Sequence, residues 1–262
     1  MDYRKLMDMT GKVCIVTGGV GYLGRENIKI LQDFGATVVA ADIRDSETRW
    51  NDTENTTKAD FVPCDISSTE SIAECFKIVY DRYGRIDVLI NCATYGAGYG
   101  KDSQIEFMSD EIWERGIDGS LSSTFRAIRE IIPYMKKNGG SIINYCSMYG
   151  VVSPDLRIYG DNPQKQPPNY GAGKAGVAQL TRYSAGALAQ YNIRVNCVTP
   201  GPFPNPSNLG DEQFNRQLAA KTMLGRYGQS HEMAGAILLL ASDASTFMTG
   251  SNIVVDGGWT AW

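Results

Sequence analysis

A tyrosine and a lysine stand four residues apart in YGAGK, Tyr170 to Lys174, with only Gly and Ala between them. On a helix, residues four apart project from one face, so both polar heads would reach the same place. A phenol titrates near ~10 when unperturbed, too high for a base at neutral pH. An ammonium beside it favours the phenolate and brings that value down. The pair therefore suits proton exchange with an alcohol oxygen. Ser147 is the third candidate, because it follows the apolar run SIINYC (141–146) and its hydroxyl could hydrogen-bond the same oxygen. The small residues between Tyr170 and Lys174 would admit another body against that face, either a packed helix or a bound ligand.

The glycine-rich stretch TGGVGYLG (17–24) favours the ligand. It follows an apolar run and opens a helical pattern. Gly18, Gly21 and Gly24 allow a tight turn and close backbone approach, with Tyr22 and Leu23 inside the same segment. The helix N-terminus then offers unpaired N–H groups to a pyrophosphate. Asp42 ends the second apolar run, with Ile43 after it. A carboxylate there accepts hydrogen bonds from adenosine ribose hydroxyls and repels a 2′-phosphate, which selects NAD(H) over NADP(H). Arg44 is the neighbour that would tolerate the phosphate. A positively charged oxidised nicotinamide beside Tyr170 would add to the pull of Lys174 on the phenol. The small residues of YGAGK are thus expected to admit cofactor and substrate.

These residues need a scaffold, and the chain's periodicity supplies one. Short apolar runs at 12–17, 37–41, 59–64, 86–91, 141–146, 193–198 and 252–256 read as buried strands. Helical patterns lie between them. The first carries Leu23, Ile30, Leu31 and Phe34 on one face and closes at Gly35. The second pairs Ser67, as N-cap, with Glu70 and ends at Gly84. Continuous apolar strands alternating with helices predict a doubly wound α/β fold: a seven-stranded, mainly parallel sheet with helices on both faces. No linker or repeat divides the 262 residues, so one domain spanning 1–262 is expected.

Composition narrows the chemistry. A formal charge of −4 argues against a broad basic surface for nucleic acid or an anionic membrane. The longest apolar run, AGAILLLA (234–241), is far short of a membrane span, and MDYRKLMDMTGK has no signal-peptide core. The six cysteines, at 14, 64, 75, 92, 146 and 197, lack metal-ligand spacing, and four of them sit in apolar runs where Cys behaves as a small hydrophobe. A cytoplasmic setting without metal follows. The single histidine, His231, precedes an apolar helical run and reads as a helix-start residue, so chemistry built on a histidine base is not expected.

With these motifs in order, the chain resembles the short-chain dehydrogenase/reductase family in its single-domain branch. The resemblance runs from about Gly11 to Gly258 and includes CDIS (64–67), NCAT (91–94), SIINYCS (141–147), IRVNCVTPG (193–201) and LLASDASTFMTGSNIVVDGG (239–258). It implies that Tyr170 is the general acid/base, that Lys174 binds the nicotinamide ribose and tunes Tyr170, and that Ser147 orients the substrate oxygen. It implies further that Asp65 and Ile66 flank the adenine, that Asn91 and Ala93 lie along the cofactor, and that the segment from Pro200 and Gly201 to Phe203 meets the carboxamide end. A homotetramer, or a homodimer, is the family habit.

Four departures stand out. The glycine spacing fits TGxxGxxG, because position 22 is Tyr; NCAT replaces NNAG; Ser120 occupies the position of the family's fourth catalytic residue, an asparagine; and the span from Ser147 to Tyr170 is longer than usual. That longer span is polar, with Asp155, Arg157, Tyr159, Asp161 and Asn162. Segments 148–169 and 201–225 are expected to flank the substrate. The expected activity is NAD-linked alcohol/ketone interconversion on a sugar, sugar acid or polyol. A 3-ketoacyl thioester or hydroxysteroid is the alternative within the family, and a nucleotide-sugar epimerase or dehydratase and a non-catalytic NAD-binding sensor are the rivals outside it.

Overall fold

The seven apolar runs form seven strands in the computed structural model, which describes residues 2–43, 59–98, 100–160, 165–206 and 212–262. They are β1 (Val13–Thr17), β2 (Thr37–Asp42), β3 (Asp60–Pro63), β4 (Val88–Asn91), β5 (Gly140–Tyr145), β6 (Ile193–Pro200) and β7 (Asn252–Val255). All pair in parallel, in the order β3-β2-β1-β4-β5-β6-β7. Strand β1 pairs with both β2 and β4, so the chain winds outward on one side, returns, and winds outward on the other. The carboxyl ends of β1 and β4 diverge at this reversal, which is where open α/β sheets receive ligands.

Helices cover both faces: α1 (Tyr22–Asp33), α2 (Thr69–Tyr83), α3 (Asp110–Ile117), α4 (Ser123–Met135), α5 (Pro168–Leu188), α6 (Glu212–Ala220) and α7 (Ala234–Ala241). Alternation along each strand sends neighbours to opposite sides. Ile15, Leu89, Ile142 and Val195 pack with Phe76 of α2, Ile131 of α4 and Leu188 of α5. Val16, Ile90, Ile143 and Val198 pack with Ile28 and Leu31 of α1 and Ile237 and Leu240 of α7. Burial on both faces is why the strands read as unbroken apolar runs. The result is a single Rossmann-like α/β domain.

The helix ends are chemically marked. Helix α2 stops at Gly84, whose φ of +73° lets its N–H reach the Tyr80 carbonyl at 2.7 Å. Its start differs from expectation by one residue. Ser68 is the N-cap and accepts from the Ser71 N–H at 3.1 Å. Ser67 instead donates through its backbone N–H and hydroxyl to Asp65, at 2.9 and 2.7 Å. The Glu70 carboxylate accepts from the Ser68 hydroxyl, so an Asx turn at Asp65 delays the helix. Between α3 and α4 lies a π-helical segment, Asp118–Ser122. His231 falls in a short 3-10 turn, Ser230–Met233, that leads into α7. The six cysteines are free thiols. No helix among the described residues is long and apolar enough to cross a membrane.

Candidate active site

Strand β5 ends at Tyr145, and Ser147 two residues later is buried in extended backbone. Its hydroxyl accepts from the Tyr149 N–H at 3.2 Å and so caps a 3-10 turn over Met148–Gly150. Helix α5 passes beside that turn. The ammonium of Lys174, itself 3 % exposed, donates to the Tyr145 carbonyl at 2.8 Å. The same ammonium lies 5.8 Å from the centroid of the Tyr170 ring. Burial pushes the lysine below the usual lysine range, with the nearby Cys146 and Cys92 thiols opposing that shift. The fold thus brings the ends of YGAGK to the carboxyl edge of β5, beside the turn that Ser147 opens.

What the small residues admit is protein rather than ligand. A side-chain carbon added at Gly171 would meet the Tyr149 carbonyl oxygen at 2.9 Å. At Gly173 it would stand 1.9 Å from the Ser120 hydroxyl, and at Gly176 2.7 Å from the Leu121 side chain. Across the interface, a carbon on Gly150 would fall 2.7 Å from the Lys174 backbone. The glycines let the post-β5 turn and the π-helical segment seat directly on α5. This fixes Tyr170 and Lys174 from two sides.

Ser120 is buried, and its hydroxyl is spent within its own helix, donating to the Gly116 carbonyl at 2.6 Å. The Ser120 carbonyl accepts from Thr124 Oγ1 at 3.1 Å. Asn169, fully buried, donates to the Ile112 carbonyl at 2.9 Å and ties the start of α5 to α3.

The glycine-rich turn borders a cleft of about 710 Å³. Its lining includes Gly18, Gly21, Tyr22, Leu23, Gly24, Asp42, Ile43, Asp65, Ile66 and Ala93, ten of the residues expected along a cofactor. A side-chain carbon at Gly24 would lie 2.1 Å from the Gly18 carbonyl oxygen, and one at Gly18 would meet the Ala93 backbone at 3.0 Å. Gly21 caps α1 without a side-chain hydrogen bond, which leaves first-turn amides facing the cleft mouth. The Asp42 carboxylate stands at the rim and accepts from the Val20 N–H at 3.2 Å and from the Ile43 N–H at 2.8 Å. A cradle too narrow for side chains, a helix N-terminus and a carboxylate at the end of β2 fit a dinucleotide. Arg44 lies outside the described residues.

Other expected residues sit elsewhere. The Asn91 side chain is buried in the sheet, where it donates to Asn144 Oδ1 at 2.9 Å, and Asn144 donates in turn to Thr181. Pro200 ends β6, and Gly201 packs on the Asp256 backbone, to which an added carbon would come within 2.5 Å. The Phe203 ring lies against Gly228 and the α1/α7 side of the core.

Sequence reasoning missed Ser67, Thr94, Tyr95 and Arg115, all of which line the cleft. The hydroxyl of Tyr95 bonds Asp118, which also pairs with Arg126. This strap holds the loop after β4 against the π-helical segment. Tyr95 directly follows the quoted NCAT, which was the available signal; nothing in the spacing marked Arg115. Burial pushes the Cys92 thiol, at the same wall, up to about 12, with Lys174 opposing.

The long segment after Ser147 turns its apolar side inward. Ile158 and Tyr149 form a cluster with Met148, Leu218 of α6 and Trp259 near the C-terminus, and Tyr159, Phe214 and Tyr170 itself pack on it. Tyr159 and Phe214 have ring centroids 5.3 Å apart, and Tyr149 meets Trp259 edge-on at 6.2 Å. Among the described polar residues of the segment, Asp155 bonds both a neighbour and the base of α6. Asp155 accepts from Arg157 and from Lys221, each at 2.8 Å. These partners hold its carboxyl far below the usual carboxylate range, Arg157 first and Lys221 second. Asp161 and Asn162 lie outside the described residues.

A family model described as enoyl-(acyl carrier protein) reductase matches residues 23–260. A 3-oxoacyl-[acyl-carrier-protein] reductase from Thermotoga maritima is 36% identical over 257 residues, covering 96% of this chain and 99% of the relative. A trans-4-hydroxycyclohexanecarboxylate dehydrogenase from Sinomonas cyclohexanicum is 35% identical over 259 residues, covering 95% and 93%. The crystal structure of gox2181 superposes with a TM-score of 0.88 at 31% identity, covering 99% of this chain and all of that one.

Proposed function

The chain belongs to the short-chain dehydrogenase/reductase family of NAD(P)-dependent oxidoreductases acting on a CH–OH or C=O group, and we propose that its substrate is a secondary alcohol or ketone on an apolar ring. The observation that carries this reading is the cluster of Met148, Tyr149, Ile158, Leu218 and Trp259 on which Tyr170 packs. Tyr170 is thus backed by hydrocarbon rather than by groups that would hydrogen-bond a polyol, which favours an apolar ring beside it. Of the polar groups that pointed to a sugar, sugar acid or polyol, Asp155 and Arg157 are bonded to each other, and Asp155 also to Lys221. The Sinomonas relative, whose name gives a hydroxylated cyclohexane ring, supports the same reading. A 3-ketoacyl thioester is the second reading, favoured by the Thermotoga relative.

In the oxidative direction the Tyr170 phenolate takes the hydroxyl proton while Ser147 donates a hydrogen bond to that oxygen. The Lys174 ammonium stabilises the phenolate through space. Gly18, Gly21 to Gly24, Asp42, Ile43, Asp65, Ile66 and Ala93 would hold the dinucleotide, and Asp42 would favour NAD over NADP. The nicotinamide, when bound, accepts or returns the carbinol hydride. Segments 148–169 and 201–225 would flank the substrate, and the assembly would be a homotetramer.

The test is NADH formation by the purified protein with NAD⁺ or NADP⁺ over cyclic alcohols, hydroxysteroids, hydroxyacyl thioesters, sugars and polyols, with Tyr170→Phe alongside. Turnover of a ring alcohol that is lost in the variant is expected. Turnover of sugars alone would overturn the substrate class, and full activity in Tyr170→Phe would overturn the role of Tyr170.

A further inference from the structure

Among the described residues, Arg115 is a cation without a partner, and it lines an acidic cleft. It lies in the last turn of α3 and is exposed, and no hydrogen bond or ion pair joins its guanidinium to any described residue. Glu111, one turn earlier on the same helix, leaves it unpaired, whereas Arg126 and Arg129 nearby are both bonded to carboxylates. Among the described lining residues of the cleft, Asp42 and Asp65 are the acids and Arg115 is the one cation.

Its stem is not free to wander. Gly96 has a φ of +76°, and a side-chain carbon there would fall 2.7 Å from Arg115 Cγ. The methylenes therefore lie directly on the Gly96 backbone. That backbone is strapped down through the adjacent Tyr95, whose hydroxyl bonds Asp118. Asp42 at the end of β2 marks the adenosine ribose, so the wall of Asp65, Ile66 and Ser67 borders the base. Ile43, 64% exposed at the same corner, is apolar surface that a base would cover. Arg115, from the last turn of α3, lines the same cleft. A guanidinium is planar and weakly hydrated, and it stacks on π-faces. The pyrophosphate has its own donors in the first turn of α1.

We propose that Arg115 closes the adenine end of the cleft, its guanidinium lying flat against the purine; the inference rests on the reading that this cleft takes NAD(H). Arg115→Ala and Arg115→Lys would be titrated with NADH, ADP-ribose, adenosine and nicotinamide mononucleotide by fluorescence and calorimetry, with thermal melting as the folding control. The expected result is a loss of about five- to thirtyfold in Arg115→Ala for the three adenine-bearing ligands. Nicotinamide mononucleotide, which has a phosphate but no adenine, should be unaffected, and Lys should restore little.

Loss for NADH and ADP-ribose with adenosine unchanged would place the guanidinium on a phosphate and overturn the proposal. Full rescue by Lys, or equal binding by all variants, would overturn it too. Failure of the unaltered protein to bind NADH at all would overturn the cofactor reading on which it rests.

Discussion

Replacing Lys174 with Met removes one buried positive charge and should move the pH dependence of alcohol oxidation. The ammonium lies 5.8 Å from the Tyr170 ring centroid. Taking that separation as the order of the distance to the phenolate charge, two unit charges at an effective dielectric of ~20 interact by about 3 kcal/mol. That energy is worth about two pH units in the balance between phenol and phenolate. The limb of kcat/KM on which oxidation rises with pH should therefore move up by about two units in the variant. Activity at neutral pH should fall about a hundredfold and recover in part toward pH 10. The Tyr145 carbonyl, now without its 2.8 Å donor, adds a stability cost of about 1 kcal/mol, to be checked by denaturant melting. The assay is kcat/KM against pH with the best alcohol from the panel, after NADH binding is verified. A uniformly lowered rate with the limb unmoved would refute the electrostatic role and leave Lys174 a purely positional one.

Asp42→Ser should raise kcat/KM with NADP⁺ by at least tenfold relative to NAD⁺ if the carboxylate excludes the 2′-phosphate, an effect of about 1.4 kcal/mol or more; steady-state kinetics with both cofactors check it. Gly186 lies exposed in α5, and an added carbon there meets nothing within 4 Å. Gly186→Ala should thus stabilise the fold by about 0.5–1 kcal/mol in urea melts, whereas Gly24→Ala, aimed at the Gly18 carbonyl, should abolish NADH binding. Lys221→Met should raise KM for the alcohol while leaving NADH affinity unchanged, because it frees the base of α6 from Asp155. Since Asp155 is held below its unfolded value, its pairing contributes fully above the ordinary carboxylate range and is lost only as pH falls through the lowered folded value. The KM of the unaltered protein should therefore stay flat between pH 5 and ~7 as far as this pair is concerned.

The sheet was legible because a strand buried on both faces has no polar alternation to hide it: VCIVT and VLIN are apolar at nearly every position. The glycine turn and the place of Asp42 at the end of β2 were legible for a related reason, since a strand-to-helix reversal uses local residues in fixed order. What stayed hidden was set by contacts between distant segments. Nothing local says that Gly173 faces Ser120, that Asp155 meets Lys221, or that Arg115 reaches the loop after β4. The polar composition of 148–169 suggested a hydrophilic wall, yet among its described residues Ile158 and Tyr159 join the apolar cluster on which Tyr170 packs. The one-residue displacement of the α2 cap had a similar origin, because Ser67 and Ser68 both suit the role and the Asp65 side chain chooses between them.

The π-helical segment between α3 and α4 acts as a phase shifter. One residue more than an α-turn holds rotates everything downstream by about 100° around the helix axis. Upstream, this sets Arg115 toward the cleft; downstream, it sets Ala127, Ile128 and Ile131 toward the sheet. A regular helix through the same residues could satisfy one of these faces and would misdirect the other. Length at 118–122 is therefore constrained more tightly than residue type: a substitution at Ser122, half-exposed, alters a surface, whereas deletion of a single residue there would turn α4 off its core.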